Sequence, residues 1–122
     1  MARAYRAFNE ADLETLTQSF DEDAEWVTPG ESPAARERKG RDAVLEQFER
    51  YSEETGGTFQ VELHFVAEDD DGRVIALHHS RALRNGRRLD TDCCIVFEVK
   101  GGRITKGLEH FFDLYNWDEF WS

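Results

Sequence analysis

Two histidines and a cysteine, His78, Cys93 and His110, fall where strand alternation directs all three to one face of a single sheet, with Ser80 and Thr91 beside them. An imidazole ordinarily titrates at about 6.5, so His110 is the first candidate for a general acid/base, a role worth roughly 10²–10⁴ in rate, with His78 as its partner or proton donor. The bland alternative is a core histidine satisfied by one hydrogen bond, to Ser80, Thr91 or Trp26. Both readings stand for His110; for His78 the core role is preferred. Zinc accepts imidazole and thiolate, but these residues come from separate strands without a short ligand spacing such as HxxxH, and no metal or other cofactor is assigned. A Cys93 nucleophile needs exposed, electropositive surroundings, whereas an inward strand position points to packing.

The elements that position these residues follow from the turns. Asn85-Gly86 signals a tight hairpin between strands near 73–84 and 87–100, which sets Ser80 opposite Thr91 and His78 opposite Cys93. Val74, Ala76 and Ala82 then join them on the inner face with Leu89, Ile95, Phe97 and Val99. Arg88, Asp90 and Asp92 face outward, as do His64 and His79, and form a solvated ion-pair surface. Gly101-Gly102 leads into a last strand whose apolar set, Ile104, Leu108, Phe112 and Leu114, includes His110; Gly107 is a position where a bulge is tolerated. Upstream, Phe59, Val61, Leu63 and Phe65 alternate with polar residues as a half-buried strand.

Before that strand, Tyr5, Phe8, Leu13, Leu16 and Phe20 recur at helical spacing, restarted or capped at Asn9 or Asp12. A short strand, Glu25 to Thr28, is stopped by Pro29-Gly30 and turns Trp26 or Thr28 inward. Residues 31–40 read as a loop or flap. The stretch after Asp42 is a helix with Val44, Leu45, Phe48 and Tyr51 on one side, ended by Gly56-Gly57. The sum is an α+β domain, helices first and an antiparallel meander after, with Trp117, Phe120 and Trp121 capping it.

One domain spanning 1–122 suits the length, and nine Phe and three Trp supply a core despite 34% charged residues. A net charge of -11 repels phosphate backbones and anionic lipid, which excludes nucleic acid and membrane surfaces as partners. No stretch reads as a signal core or membrane span, so a soluble cytoplasmic protein is expected. Adjacent Cys93 and Cys94 point to opposite faces and are expected to stay reduced. Val66, Leu77, Val96, Phe111 and Tyr115 interrupt the charged outer face and predict a homodimer through it.

The succession WVTPG, GRDAVLEQF, GGTFQVELH, VFEVKGGRIT and EHFFDLYNWDEFW resembles the SnoaL-like branch of the NTF2-like superfamily along essentially the whole chain. The resemblance implies a cone of curved sheet wrapped by helices around an apolar pocket, commonly dimeric through the outer sheet face, in polyketide cyclases, ketosteroid isomerases, limonene-epoxide hydrolases and non-catalytic binding proteins. Carried over by position, the general-base aspartate of ketosteroid isomerase falls at Thr28 and its oxyanion-hole aspartate at Cys93, so neither carboxyl is present. Tyr5 lies near the family's helix-one tyrosine. The inner positions that correspond to the hydrolase's two aspartates and arginine carry His78, Ser80 and His110, so that triad is absent too, although a His can replace a carboxylate base, and His110 is the counterpart of the cyclases' acid/base residue near the last strand. The resulting expectation is a small hydrophobic ligand held by Tyr5, Trp26, Thr28, Phe65, Ser80, Thr91, Cys93 and Phe112, with His110 and His78 as the catalytic pair. An isomerase or cyclase acting on a carbonyl substrate, an epoxide hydrolase and a non-catalytic binding module all remain open.

Overall fold

The computed structural model describes residues 1–122. Helix α1 (Ala2–Glu10) turns at Ala11, whose left-handed backbone (φ 54°) ends it, and Asp12 starts α2 (Leu13–Ser19) by accepting from the Thr15 amide (3.2 Å) and hydroxyl (2.6 Å). The chain passes directly into β1 (Phe20–Thr28), so Phe20 opens a strand instead of closing the helical face. β2 (Arg36–Lys39) returns antiparallel to β1 with Arg38 opposite Trp26, where a loop or flap was expected. Its sequence, RERK, has no apolar alternation because it lies at the sheet edge; Arg36, Glu37 and Lys39 are exposed and only Arg38 points inward.

Helix α3 (Arg41–Glu54) follows, then β3 (Gln60–Glu68), β4 (Val74–Arg84), β5 (Arg87–Lys100), β6 (Arg103–Phe111) and α4 (Leu114–Trp121). The six strands form one sheet ordered β2-β1-β6-β5-β4-β3, in which β1 and β6 run parallel and every other neighbouring pair antiparallel. Asn85 and Gly86 both have positive φ (49° and 78°), as a two-residue hairpin turn requires, and the expected register holds: His78 pairs with Cys93 and Ser80 with Thr91. Helices α1 to α3 cover the inner face. Their Tyr5, Ala7, Leu16, Val44 and Leu45 share one core with Phe20, Trp26, Ile95 and Phe97 of the sheet.

Two bulges change which side chains look inward. In β3, Leu63 pairs with His78 but Phe65 pairs with Leu77, leaving His64 as the extra residue; Phe65, expected inside, is 54% exposed. In β6, Ile104 pairs with Val99 but Lys106 pairs with Glu98, so Thr105 is the extra residue, its hydroxyl donating to the Glu98 carbonyl at 3.1 Å. Beyond Thr105 the parity is reversed. Gly107, Glu109 and Phe111 turn inward, and His110, expected inside, is exposed opposite Cys94 on the outer face. Phe111 therefore leaves the predicted outer apolar set.

The close approach of Trp26 fixes this register, because a Cβ on Gly107 would lie 2.3 Å from Trp26 Cζ3. β6 ends at Phe111, so Phe112 and Leu114 are not strand residues. Phe112 is 67% exposed, and Asp113 caps α4 by accepting from the Asn116 amide at 3.0 Å. Helix α4 buries Trp117, Phe120 and Trp121. No helix is long and apolar enough to cross a membrane.

Candidate active site around Glu109

Between the helices and the inner sheet face lies a cavity of about 70 Å³, walled mainly by aromatic rings, among them Phe8, Phe20, Trp26, Phe48, Phe97 and Phe111. The polar side chains that reach it form two groups.

The first centres on Glu109, which the Thr105 bulge turns inward and which retains only 9% exposure. Its Oε1 accepts from Trp26 Nε1 and from Thr28 Oγ1, both at 2.8 Å. Thr28 Oγ1, having donated its only proton, accepts from Arg38 Nη1 at 3.5 Å, and Arg38 Nη2 donates to the Ala34 carbonyl at 3.3 Å. Arg38 is itself buried, at 5% exposure, with no carboxylate in direct contact, and its charge acts on Glu109 through space from behind Thr28. No protein group hydrogen-bonds Glu109 Oε2. Burial pushes the carboxyl up to about 7, against the smaller opposing pull of the Thr28 and Trp26 hydrogen bonds and the Arg38 charge. A carboxyl that half-ionises near neutrality, with one oxygen anchored and the other free, has the properties of a general acid/base.

The second group is a chain of three. The Tyr5 hydroxyl lies 2.7 Å from His78 Nδ1, and His78 Nε2 lies 3.0 Å from Ser80 Oγ. Burial lowers His78 to about 4, so its ring is neutral at pH 7 and carries one N–H. When Ser80 donates to Nε2, Nδ1–H donates to Tyr5, and the Tyr5 proton is then free to point at a ligand oxygen. Burial also raises the Tyr5 hydroxyl, which stays protonated and keeps a proton to donate. Tyr51 also walls the cavity, but its hydroxyl is buried in that wall without a hydrogen-bond partner and presents no surface to a ligand.

Of the residues singled out from sequence, Tyr5, Trp26, His78 and Ser80 line the cavity, and Thr28 stands one hydrogen bond behind it. Cys93 is fully buried outside the lining, and burial raises its thiol, which keeps it protonated and packed. Thr91 is buried too, but its hydroxyl donates to the Asp92 carbonyl (3.0 Å) and accepts from the Asp113 amide (3.0 Å), tying β5 to the start of α4. His110, Phe65 and Phe112 do not reach the cavity, for the bulge and strand-end reasons given above. With His110 outside, the candidate ligand set of His78, Cys93 and His110 is divided between two faces, and no cluster of three His, Cys, Asp or Glu side chains is arranged to hold a metal ion.

On the outer face, as its parity required, His79 lies between Asp92 (Nδ1 to Oδ1 2.7 Å) and Asp90, whose hydrogen bonds raise the imidazole.

Sequence reasoning passed over Glu109 because a glutamate flanked by Leu108 and His110 reads as the solvent side of a strand. Gly107 carried the available signal: a glycine inside a strand marks a bulge or a close packing partner.

Residues 1–107 match the model of the SnoaL-like domain. Bal32a, whose structure came from a soil-derived mobile gene cassette, is 57% identical over 99% of this chain and 92% of its own, with a TM-score of 0.96. The uncharacterized protein Rv0034 of Mycobacterium tuberculosis is 37% identical over 120 residues, 98% of this chain and 92% of that protein. A putative polyketide cyclase from Xanthomonas campestris, 21% identical over 99% of this chain and 93% of its own with a TM-score of 0.76, shares the fold. A cavity between helices and a six-stranded sheet, together with a family match over 107 of 122 residues, gives the chain its place: it belongs to the SnoaL-like domain family.

Proposed function

We propose that this protein is an acid/base enzyme acting on a small, largely apolar carbonyl compound with an enolisable C–H, in the manner of an isomerase or cyclase. The observation that carries the reading is Glu109, a carboxyl titrating near neutrality with one oxygen held by Trp26 and Thr28 and the other unengaged in an aromatic cavity. In its ionised form Oε2 accepts the proton from the carbon next to the carbonyl, and the C–H bonding pair moves to form the enolate. The negative charge collects on the carbonyl oxygen, where the Tyr5 hydroxyl is the available donor. Glu109 then returns the proton to carbon, so no cofactor or second substrate enters the balance. His78 takes no proton at neutral pH; it holds Tyr5 in place. The aromatic walls keep water away and strengthen the interaction of each polar group with the developing charge.

The test needs no knowledge of the natural substrate. Small ketones such as 2-butanone and cyclopentanone are incubated in D₂O, and exchange of their α-protons is followed by ¹H NMR. The wild type should exceed buffer, and Glu109→Gln, which keeps Oε1 as an acceptor, should lose roughly 10²–10⁴ of that rate. Equal exchange by both proteins overturns the assignment. Binding without exchange leaves a ligand-binding module, and hydrolysis of small epoxides without ketone exchange moves Glu109 to activation of water.

A further inference from the structure

The inner cavity is too small for most compounds that would repay so apolar a site. Its volume of about 70 Å³ is well under the ~150 Å³ of an engineered cavity that admits benzene. Immediately outside lies a groove of about 290 Å³ between the α1–α2 corner and α3. Phe8, Leu16, Phe48 and Phe59 line both spaces, so the wall between them is one side chain thick. Phe8 meets Phe48 and Phe59 edge to face, each at 5.4 Å between centroids, and both Phe8 and Phe48 are only half-buried. The groove has an apolar floor continued by Leu45 and by Leu13, which is 44% exposed. The charged side chains along it are Glu49 and Glu53, and no lysine or arginine lines it.

We propose that the groove is the second compartment of the binding site. The ligand is bipartite: a small oxygen-bearing head sits beside Glu109, and an extended apolar chain passes between Phe8 and Phe48 into the groove. Glu49 and Glu53 fix the charge of the outer end, which is neutral or cationic and never a carboxylate or phosphate. Passage requires a rotamer change of the two half-buried rings, and the aliphatic chain then packs against both ring faces where the rings had packed on each other. The inference rests on the acid/base reading for the position of the head group, while the groove itself is tested by chain length.

The experiment is calorimetric binding of the 2-alkanones from 2-butanone to 2-decanone. Two ten-carbon methyl ketones ending in an amine and in a carboxylate complete the probe set. Expected for the wild type is about fourfold tighter binding for each methylene added beyond five carbons, with the amine bound and the carboxylate rejected at least tenfold. Ser52→Trp, placed on the groove rim away from the inner cavity, should abolish the chain-length gain and leave 2-butanone unchanged. Glu49→Lys combined with Glu53→Lys should reverse the preference between amine and carboxylate. Affinity that levels off at five carbons, a chain-length gain insensitive to Ser52→Trp, or no binding of any homologue at millimolar concentration overturns the proposal. Glu109→Gln separates the two readings: a preserved chain-length gain with head-group affinity unchanged refutes Glu109 as the head-group site, and an absent gain with head-group affinity still dependent on Glu109 refutes the groove alone.

Discussion

Glu109→Gln has a consequence for stability that requires no ligand, because two buried groups in one cavity are displaced in opposite directions. The Glu109 carboxyl moves from its ordinary 4.5 to about 7, so the folded state holds this proton more tightly than the unfolded chain. Its contribution to stability is complete below pH 4.5 and is lost as the pH rises through about 7. His78 moves from 6.5 to about 4, so the folded state holds that proton less tightly, and its contribution is complete above pH 6.5 and lost as the pH falls through about 4. At 1.36 kcal/mol per tenfold, each displacement corresponds to about 3 kcal/mol.

The two slopes nearly cancel in the wild type between pH 4.5 and 6.5. In Glu109→Gln the His78 slope is unmasked, and stability should climb by about 3 kcal/mol across that window beyond whatever the wild type does. In His78→Gln the Glu109 slope is unmasked, and stability should fall by about 3 kcal/mol between pH 4.5 and 7. Urea denaturation of the three proteins from pH 4 to 8 reads these differences, and the surface carboxylates, common to all three, drop out on subtraction. A difference between wild type and Glu109→Gln that stays constant from pH 4 to 8 would refute the displaced carboxyl and the acid/base argument built on it.

The Arg38 charge opposes the burial that raises Glu109. Arg38→Gln should therefore move the Glu109 midpoint further above about 7, and Arg38→Lys should restore part of the effect; ¹³C titration of labelled glutamate carboxyls measures both, and an unmoved midpoint in Arg38→Gln disproves the link. At Gly107, an added methyl would lie 2.3 and 2.4 Å from Trp26 ring carbons inside a packed wall. Gly107→Ala should cost about 1–3 kcal/mol in thermal or urea unfolding and loosen the Trp26 hydrogen bond to Glu109, with a loss below about 0.5 kcal/mol speaking against that close approach.

Much of the frame was legible because local rules were enough. Asn85-Gly86 sets a two-residue turn, the turn sets the β4–β5 register, and the register alone turns His78, Ser80, Thr91 and Cys93 inward. Asp12, read as one of two helix restarts, does cap α2, and both Trp26 and Thr28 face inward from β1. The succession of motifs likewise carried the family. The Glu109 centre was decided elsewhere. Local pattern favoured Leu108 and Phe112 as the buried set of the last strand and took His110 with them, since apolar residues ordinarily define the inner face. One extra residue at Thr105 reverses that choice, and what selects it is non-local: parallel pairing with β1, the Trp26 ring lying on Gly107, and the hydrogen bonds that Trp26 and Thr28 offer to Glu109. Arg38 was hidden in the same way, on an edge strand of charged residues whose conformation is set by pairing with β1 and not by its own side chains. Sequence thus determined the family, the hairpin and the inward placement of His78, while the tertiary structure made His78 neutral by burial and chose the acid, because a one-residue bulge is invisible to a period of two and only the packing of distant strands makes it the lower-energy register.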